Sequence, residues 1–284
     1  MTLTRQADAD ATDSDAMAGL DPSERAWIEA AFARFGGYPS LEQIWQLMDE
    51  VWIDLGCDQG VMDYRIGAFY RHPVWLLNGL FIEQHDLSLA NRREITAWVA
   101  ARTPCRVADF GGGYGTLARM IGMACPSTEV EVIEPHPHPV AVALAAATAN
   151  VRYRPELTGE YDILIATDVF EHVSDPLALV ERTAIHLRPG GYYLIANCFW
   201  PVILCHLPQT FHFRHSWDAA LAAMGLVPCE AVCYGRAFRW LGELDLHKAR
   251  EIEQRSRWLF PWLERLPGRI RHHVSRLAFP QPHS

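Results

Sequence analysis

Residues 106–115 of this 284-residue chain read Arg-Val-Ala-Asp-Phe-Gly-Gly-Gly-Tyr-Gly, an apolar run that ends in Asp109-x-Gly111-x-Gly113-x-Gly115. Glycines at alternate positions let a backbone turn sharply and approach a ligand that any Cβ would hold off. A helix after them, over about 114–124, points its first N–H groups at an anionic part of that ligand. The spacing narrows the choice. A dinucleotide fingerprint needs a third glycine where Thr116 stands, and a phosphate loop needs a lysine that is absent nearby. Asp109-Phe110-Gly111 matches a kinase triplet, but no His-Arg-Asp occurs anywhere in the chain.

Three later segments carry further candidates. Residues 129–134 read as a strand ending in Glu134, nineteen residues beyond Gly115. A carboxylate at a strand tip beside a glycine loop offers two acceptor oxygens, enough for both hydroxyls of a ribose. Tyr161–Thr167 is apolar with little alternation, the pattern of a strand buried on both faces of a parallel sheet, and Asp168 follows it. Next comes Asp168-Val-Phe-Glu171-His172-Val-Ser-Asp175-Pro176, in which Asp175 caps a helix that opens at Pro176 and ends near Leu187. Tyr192–Cys198 supplies the following strand.

In order and spacing these four segments resemble the motifs of class I S-adenosylmethionine-dependent methyltransferases. The resemblance implies an α/β fold with a doubly wound, mostly parallel seven-stranded sheet, Rossmann-like, whose last strand is antiparallel. It implies S-adenosyl-L-methionine as cofactor, held by Asp109, Gly111, Gly112, Gly113, Gly115, Glu134, Pro135 and Asp168. Asp109 either braces the loop or meets the cofactor's amino group. Many members place an acid against the adenine between strands three and four; here that stretch offers Glu156, and Asp168 is the alternative.

The cofactor's methyl is already activated, so such an enzyme chiefly aligns an acceptor and excludes water, and no metal is expected. A hydroxyl or ammonium acceptor also needs a base, for which histidine is suited near neutral pH. His172, His212 and His215 are the candidates, with His206 beside them; for His172 the alternative is a structural role at its loop, and His212 and His215 follow the fifth strand at the carboxyl edge of the sheet, where a cap or packing role competes. His136 and His138, just after Glu134, fall nearer the adenosine.

The remaining segments surround this core of residues 101–242. Residues 1–21 are acidic and poor in large apolar groups, so a disordered tail is expected. Residues 22–100 carry helical periodicity, with Asp21 and Ser40 as caps, and form a lid over the site. Within it Tyr70, Arg71, His72 and Trp75 either line the acceptor site or pack the lid onto the core. Residues 243–284 form a helical appendage that mixes tryptophans with arginines, interrupted by Pro261 and Pro267. It packs on the core or rests on a membrane or protein partner.

Composition sets bounds on all this. Half of the residues are hydrophobic, enough for a sizeable core. Seven cysteines form no Cys-x-x-Cys pair, which points to reduced thiols and a cytoplasmic protein. The net charge of −9 disfavours nucleic acid as substrate. A small-molecule acceptor, a sugar or secondary-metabolite hydroxyl or amine, is the first expectation. A lipid-linked saccharide at a membrane surface and a non-catalytic cofactor-binding subunit are the alternatives. Oligomeric state is not legible.

Overall fold

The computed structural model describes residues 19–280. Most of the expected tail lies outside the described residues, but Leu20 is already buried and Asp21 already caps a helix. That helix, α1 (Pro22–Phe35), starts with a full capping box between Asp21 and Glu24, and α2 (Leu41–Asp54) starts with another between Ser40 and Gln43. Three more helices follow, α3 (Tyr64–Tyr70), α4 (Pro73–Ile82) and α5 (Asp86–Ala100).

The central sheet is built from β1 (Arg106–Phe110), β2 (Glu129–Ile133), β3 (Val151–Arg154), β4 (Tyr161–Thr167), β5 (Leu187–Ala196), β6 (Leu226–Val232) and β7 (Gly235–Trp240). Their order across the sheet is β3-β2-β1-β4-β5-β7-β6. The pairs from β3 to β5 are parallel, and β7 runs antiparallel to both of its neighbours. This is the Rossmann-like methyltransferase sheet. One boundary differs from the sequence reading. Strand β5 begins at Leu187 and takes in Pro189 and Gly190, because a register break between the Tyr161 and Ile163 pairings absorbs them. Ser216 is the N-cap residue of the following helix, but its side chain makes no capping bond; its hydroxyl donates to Ser256 Oγ at 2.7 Å.

Alternation along the strands divides the core in two. Val107, Ile163 and Ile165 face α5, α6 (Thr116–Ala124) and α7 (Pro139–Ala146). Ala108, Leu164 and Ala166 face α8 (Pro176–Ala184) and α9 (Trp217–Met224). Asp175 does cap α8, with its side chain accepting from Ala178 N–H. Helices α1 to α4 make a separate apolar cluster with Tyr114, Val140 and the loop residues Ile203 and Cys205, which sets them over one end of the sheet. That closure needs Gly79: a Cβ there would lie 2.7 Å from Tyr114.

After β7 come α10 (Leu246–Leu263) and α11 (Gly268–Ala278). Pro261 lies inside α10, in its last turn, while Pro267 separates the two helices. Arg250 of α10 grips the Asp175 carboxylate at 2.5 Å, and Phe279 closes a small cluster with Ala219 and Leu263. All seven cysteines are unpaired, and no helix among the described residues is long and apolar enough to cross a membrane.

Candidate active site

Register places the loops. Phe110 of β1 pairs with Ile133 of β2 and with Ala166 of β4, so Gly111, Glu134 and Asp168 all leave the sheet at its carboxyl edge. There Gly111 N–H donates to Ile133 O at 2.9 Å, and Asp168 N–H to Ala196 O at 2.8 Å. Ligands of open α/β sheets sit outside this edge.

The glycines divide into two kinds. Gly111 has φ +70°, and a Cβ on it would lie 2.7 Å from Val169; on Gly112 it would lie 2.6 Å from Asp109, and on Gly115 2.6 Å from the Tyr153 hydroxyl. These three are required by the protein's own packing. Gly113 is different: a Cβ there would meet nothing within 4 Å, so this position opens onto the cleft. Its carbonyl is held from behind by the Tyr153 hydroxyl, which donates to it at 2.8 Å.

Three acids line the same edge, and none of them is ion-paired among the described residues. Asp109 is 1% exposed, yet among the described residues neither carboxylate oxygen has a hydrogen-bond partner. Burial pushes its pKa up to about 6 against a smaller pull from Arg92. Glu134 accepts only a long bond from His136 N–H, at 3.3 Å, and burial raises its pKa. Asp168 sits at φ +53° and accepts from the Tyr234 hydroxyl at 2.7 Å; burial raises its pKa, and that hydrogen bond opposes the rise. Its side chain is reached by solvent although protein surrounds it, as for a group on a cleft floor. Unused acceptors without a cation suit a ligand that brings hydroxyls and positive charge, which is the chemistry of S-adenosylmethionine. Pro135 is exposed just past Glu134. Glu156 is exposed beyond β3, and His138 caps α7 by accepting from Val140 N–H.

The structure separates the candidate bases. His172 lies in the 3₁₀ turn Phe170–His172, with Tyr70 and Trp75 of the lid edge-on at 6.2 Å and the His206 ring at 4.9 Å. Its Nδ1 meets the Cys205 carbonyl at 3.1 Å, and His206 Nδ1 meets the Trp200 carbonyl at 2.7 Å. A carbonyl only accepts, so both Nδ1 atoms carry the proton and both Nε2 atoms present lone pairs. Burial pushes the His172 pKa down to about 3, with His206 adding to the fall, and burial also lowers His206.

His212 and His215 do not join this group. Both lie in the turn Pro208–His215 and are committed to α10, where His212 Nδ1 meets Ser256 at 3.1 Å and His215 Nε2 meets Glu264 at 3.0 Å. Their place after β5 suggested the active edge, but the turn folds back onto the appendage. Of the lid residues, His72 caps α4 by accepting from Val74 N–H.

Glu171, next to His172, is fully buried and accepts from Cys198 N–H at 2.8 Å; burial and the neighbouring Asp168 raise its pKa. One donor atom from each of Glu171, His172 and His206 falls within 4.8 Å of the others, a convergence that also suits a metal ion. Tyr153 and Tyr234 were invisible as site residues in the sequence, since a tyrosine near a strand end carries no spacing signal.

The sheet order, the open glycine loop and the unpaired acids define an S-adenosylmethionine-dependent methyltransferase. Residues 81–228 match the family model of the methyltransferase domain, and the chain belongs to that family. Among curated proteins it is similar to the ubiquinone biosynthesis O-methyltransferase of Thiobacillus denitrificans, 28% identical over 167 residues that cover 50% of this chain and 69% of that one. The protein of the same name from Caulobacter sp. is 31% identical over 108 residues, 34% of this chain and 43% of its own. The match to a third, from Bordetella avium, takes in 42% of that relative's length at 28% identity. Among solved structures, an O-methyltransferase family protein from Burkholderia thailandensis overlaps with a TM-score of 0.49 at 12% identity, covering 70% of this chain and 71% of that one. That likeness is loose and says nothing about substrate.

Proposed function

We propose that the enzyme methylates a small-molecule acceptor, a sugar or secondary-metabolite hydroxyl in preference to an amine, bound between Tyr70, Trp75 and His172. The observation that carries this reading is the setting of His172: the Cys205 carbonyl fixes its tautomer, burial keeps it neutral, and its ring lies edge-on to Tyr70 and Trp75. A neutral lone pair receives an O–H. The relatives' names, all O-methyltransferases, support the hydroxyl.

S-adenosylmethionine, when bound, supplies a methyl group activated by its sulfonium. Glu134 accepts hydroxyls, and Asp109 and Asp168 place negative charge where that cation binds. Helices α3 and α4 cover the edge and exclude water. Trp75 Nε1 is buried and has no partner among the described residues, a donor available to an acceptor's oxygen. His172 Nε2 takes the hydroxyl proton as the oxygen gains its methyl. With a pKa near 3, His172 is in its base form throughout the neutral range but is a weak base, so the hydroxyl proton leaves as the methyl arrives and not before.

The test is His172→Gln, assayed for methyl transfer to a panel of phenolic and sugar hydroxyls and for S-adenosylhomocysteine binding. Loss of a general base predicts a fall in kcat of about 100-fold or more, with cofactor affinity unchanged. A kcat within a few-fold of wild type on an acceptor the wild type methylates would remove His172 from the reaction.

A further inference from the structure

Helices α10 and α11 form a surface whose residue types answer to a specific partner. On α10, Trp258 and Trp262 lie one turn apart and are 70% and 60% exposed. On α11 only Ser275 of eleven residues is buried, and Leu277 is 71% exposed. The two helices are tied together on their inner sides by Leu263 against Phe279 and by Arg271 with Glu264 at 3.4 Å. Their outer sides face away from the core.

Charge identifies the occupant. Residues 255–276 carry six arginines and one acid, Glu264, whereas residues 1–63 carry thirteen acids and three arginines. Arg265, Arg269 and Arg276 have no carboxylate partner among the described residues, and Arg265 sits 5.4 Å over the Trp262 ring. A chain of net charge −9 thus concentrates unpaired positive charge and exposed indoles on one pair of helices. Indole rings settle at the headgroup level of a bilayer, and unpaired arginines add attraction to anionic lipid.

We propose that α10 and α11 dock the enzyme on an anionic membrane surface. The two helices lie along the headgroups with Trp258 and Trp262 inserted and Arg265, Arg269 and Arg276 against lipid phosphates. The docked surface also bears on the acceptor side: Glu264 holds His215 at 3.0 Å and Arg214 at 3.3 Å, and Arg214 stacks on the exposed Trp200 at 4.1 Å in the segment after β5.

Vesicle sedimentation tests this without methyl transfer, so its outcome is independent of the acceptor. The full chain is mixed with vesicles of phosphatidylcholine alone or with phosphatidylglycerol added, at low and high salt. Binding is expected only with phosphatidylglycerol and is expected to weaken with salt. Arg265→Ala with Arg269→Ala should weaken it by about 25-fold, roughly fivefold for each charge, and Trp258→Ser with Trp262→Ser should abolish it. All four side chains are exposed, and retained S-adenosylhomocysteine binding checks the fold of both variants. Three results would each overturn the proposal: no binding of wild type to anionic vesicles at low salt, equal binding by the variants, or a wild-type dimer that the tryptophan variant makes monomeric.

Discussion

Asp109 gives the sharpest quantitative test of the cofactor site. Its carboxyl has an ordinary value of 3.8, and burial raises it to about 6 in the folded protein. A group raised on folding contributes stability that is fully present below its unfolded value and is lost as pH rises through its folded value. Ionised Asp109 therefore destabilises the cofactor-free fold by about 3 kcal/mol at neutral pH. Between pH 5.0 and 7.5 the same linkage predicts a loss of about 1.4 kcal/mol from this residue alone. Asp109→Asn keeps the volume and removes the titration, so other groups cancel when the two proteins are compared. Urea unfolding followed by tryptophan fluorescence should show wild type falling by about 1.4 kcal/mol relative to the variant over that interval. Saturating S-adenosylhomocysteine should shrink the difference, because an ammonium beside the carboxylate lowers its pKa. Stability curves that stay parallel within roughly 0.5 kcal/mol would refute the idea that Asp109 is a stored, unpaired charge.

Two other substitutions separate site from scaffold. Glu134→Ala removes a charged acceptor that the protein itself scarcely uses, so calorimetric titration should show S-adenosylhomocysteine binding weakened by about 2–3 kcal/mol; an unchanged affinity would mean that the ribose lies elsewhere. Glu131, three residues earlier within β2, is fully buried and holds Arg106 at 2.8 Å, Arg154 at 3.0 Å and the Tyr161 hydroxyl at 2.5 Å. Glu131→Ala should lower unfolding stability by about 3 kcal/mol, the low end for a broken buried pair because both arginines reach solvent, and should leave cofactor affinity in the native state unaltered.

What was legible in the sequence follows from the range of the interactions that specify it. The glycine loop, Glu134 and Asp168 are local signals, each attached to an apolar run, and a parallel sheet brings strand ends together without further information. Capping by Asp21, Ser40 and Asp175 is equally local, and the structure contains all three. The candidate bases were not separable in this way. His206, His212 and His215 share the segment after β5, and which of them joins His172 depends on whether that segment turns toward the lid or toward α10. That choice is made by contacts far apart in sequence, such as Ser256 with His212 and Asp49 with Leu204 N–H at 2.6 Å. Tyr153 and Tyr234 are hidden for the same reason, since each acts across the sheet edge on a residue from another loop.

The two outermost strands have a consequence for behaviour at high density. Open sheet edges are templates for strand addition from another chain. One edge here, β3, is only four residues long and bears Arg152 and Arg154. The other, β6, carries Pro228 and breaks register between Pro228 and Ala231, and its Glu230 is engaged by Trp98 and Arg102 of the α5 end. Neither offers a continuous ladder of free N–H and C=O groups. Copies crowded side by side can thus meet through side chains alone, and the fold resists the sheet-to-sheet aggregation that crowding otherwise promotes.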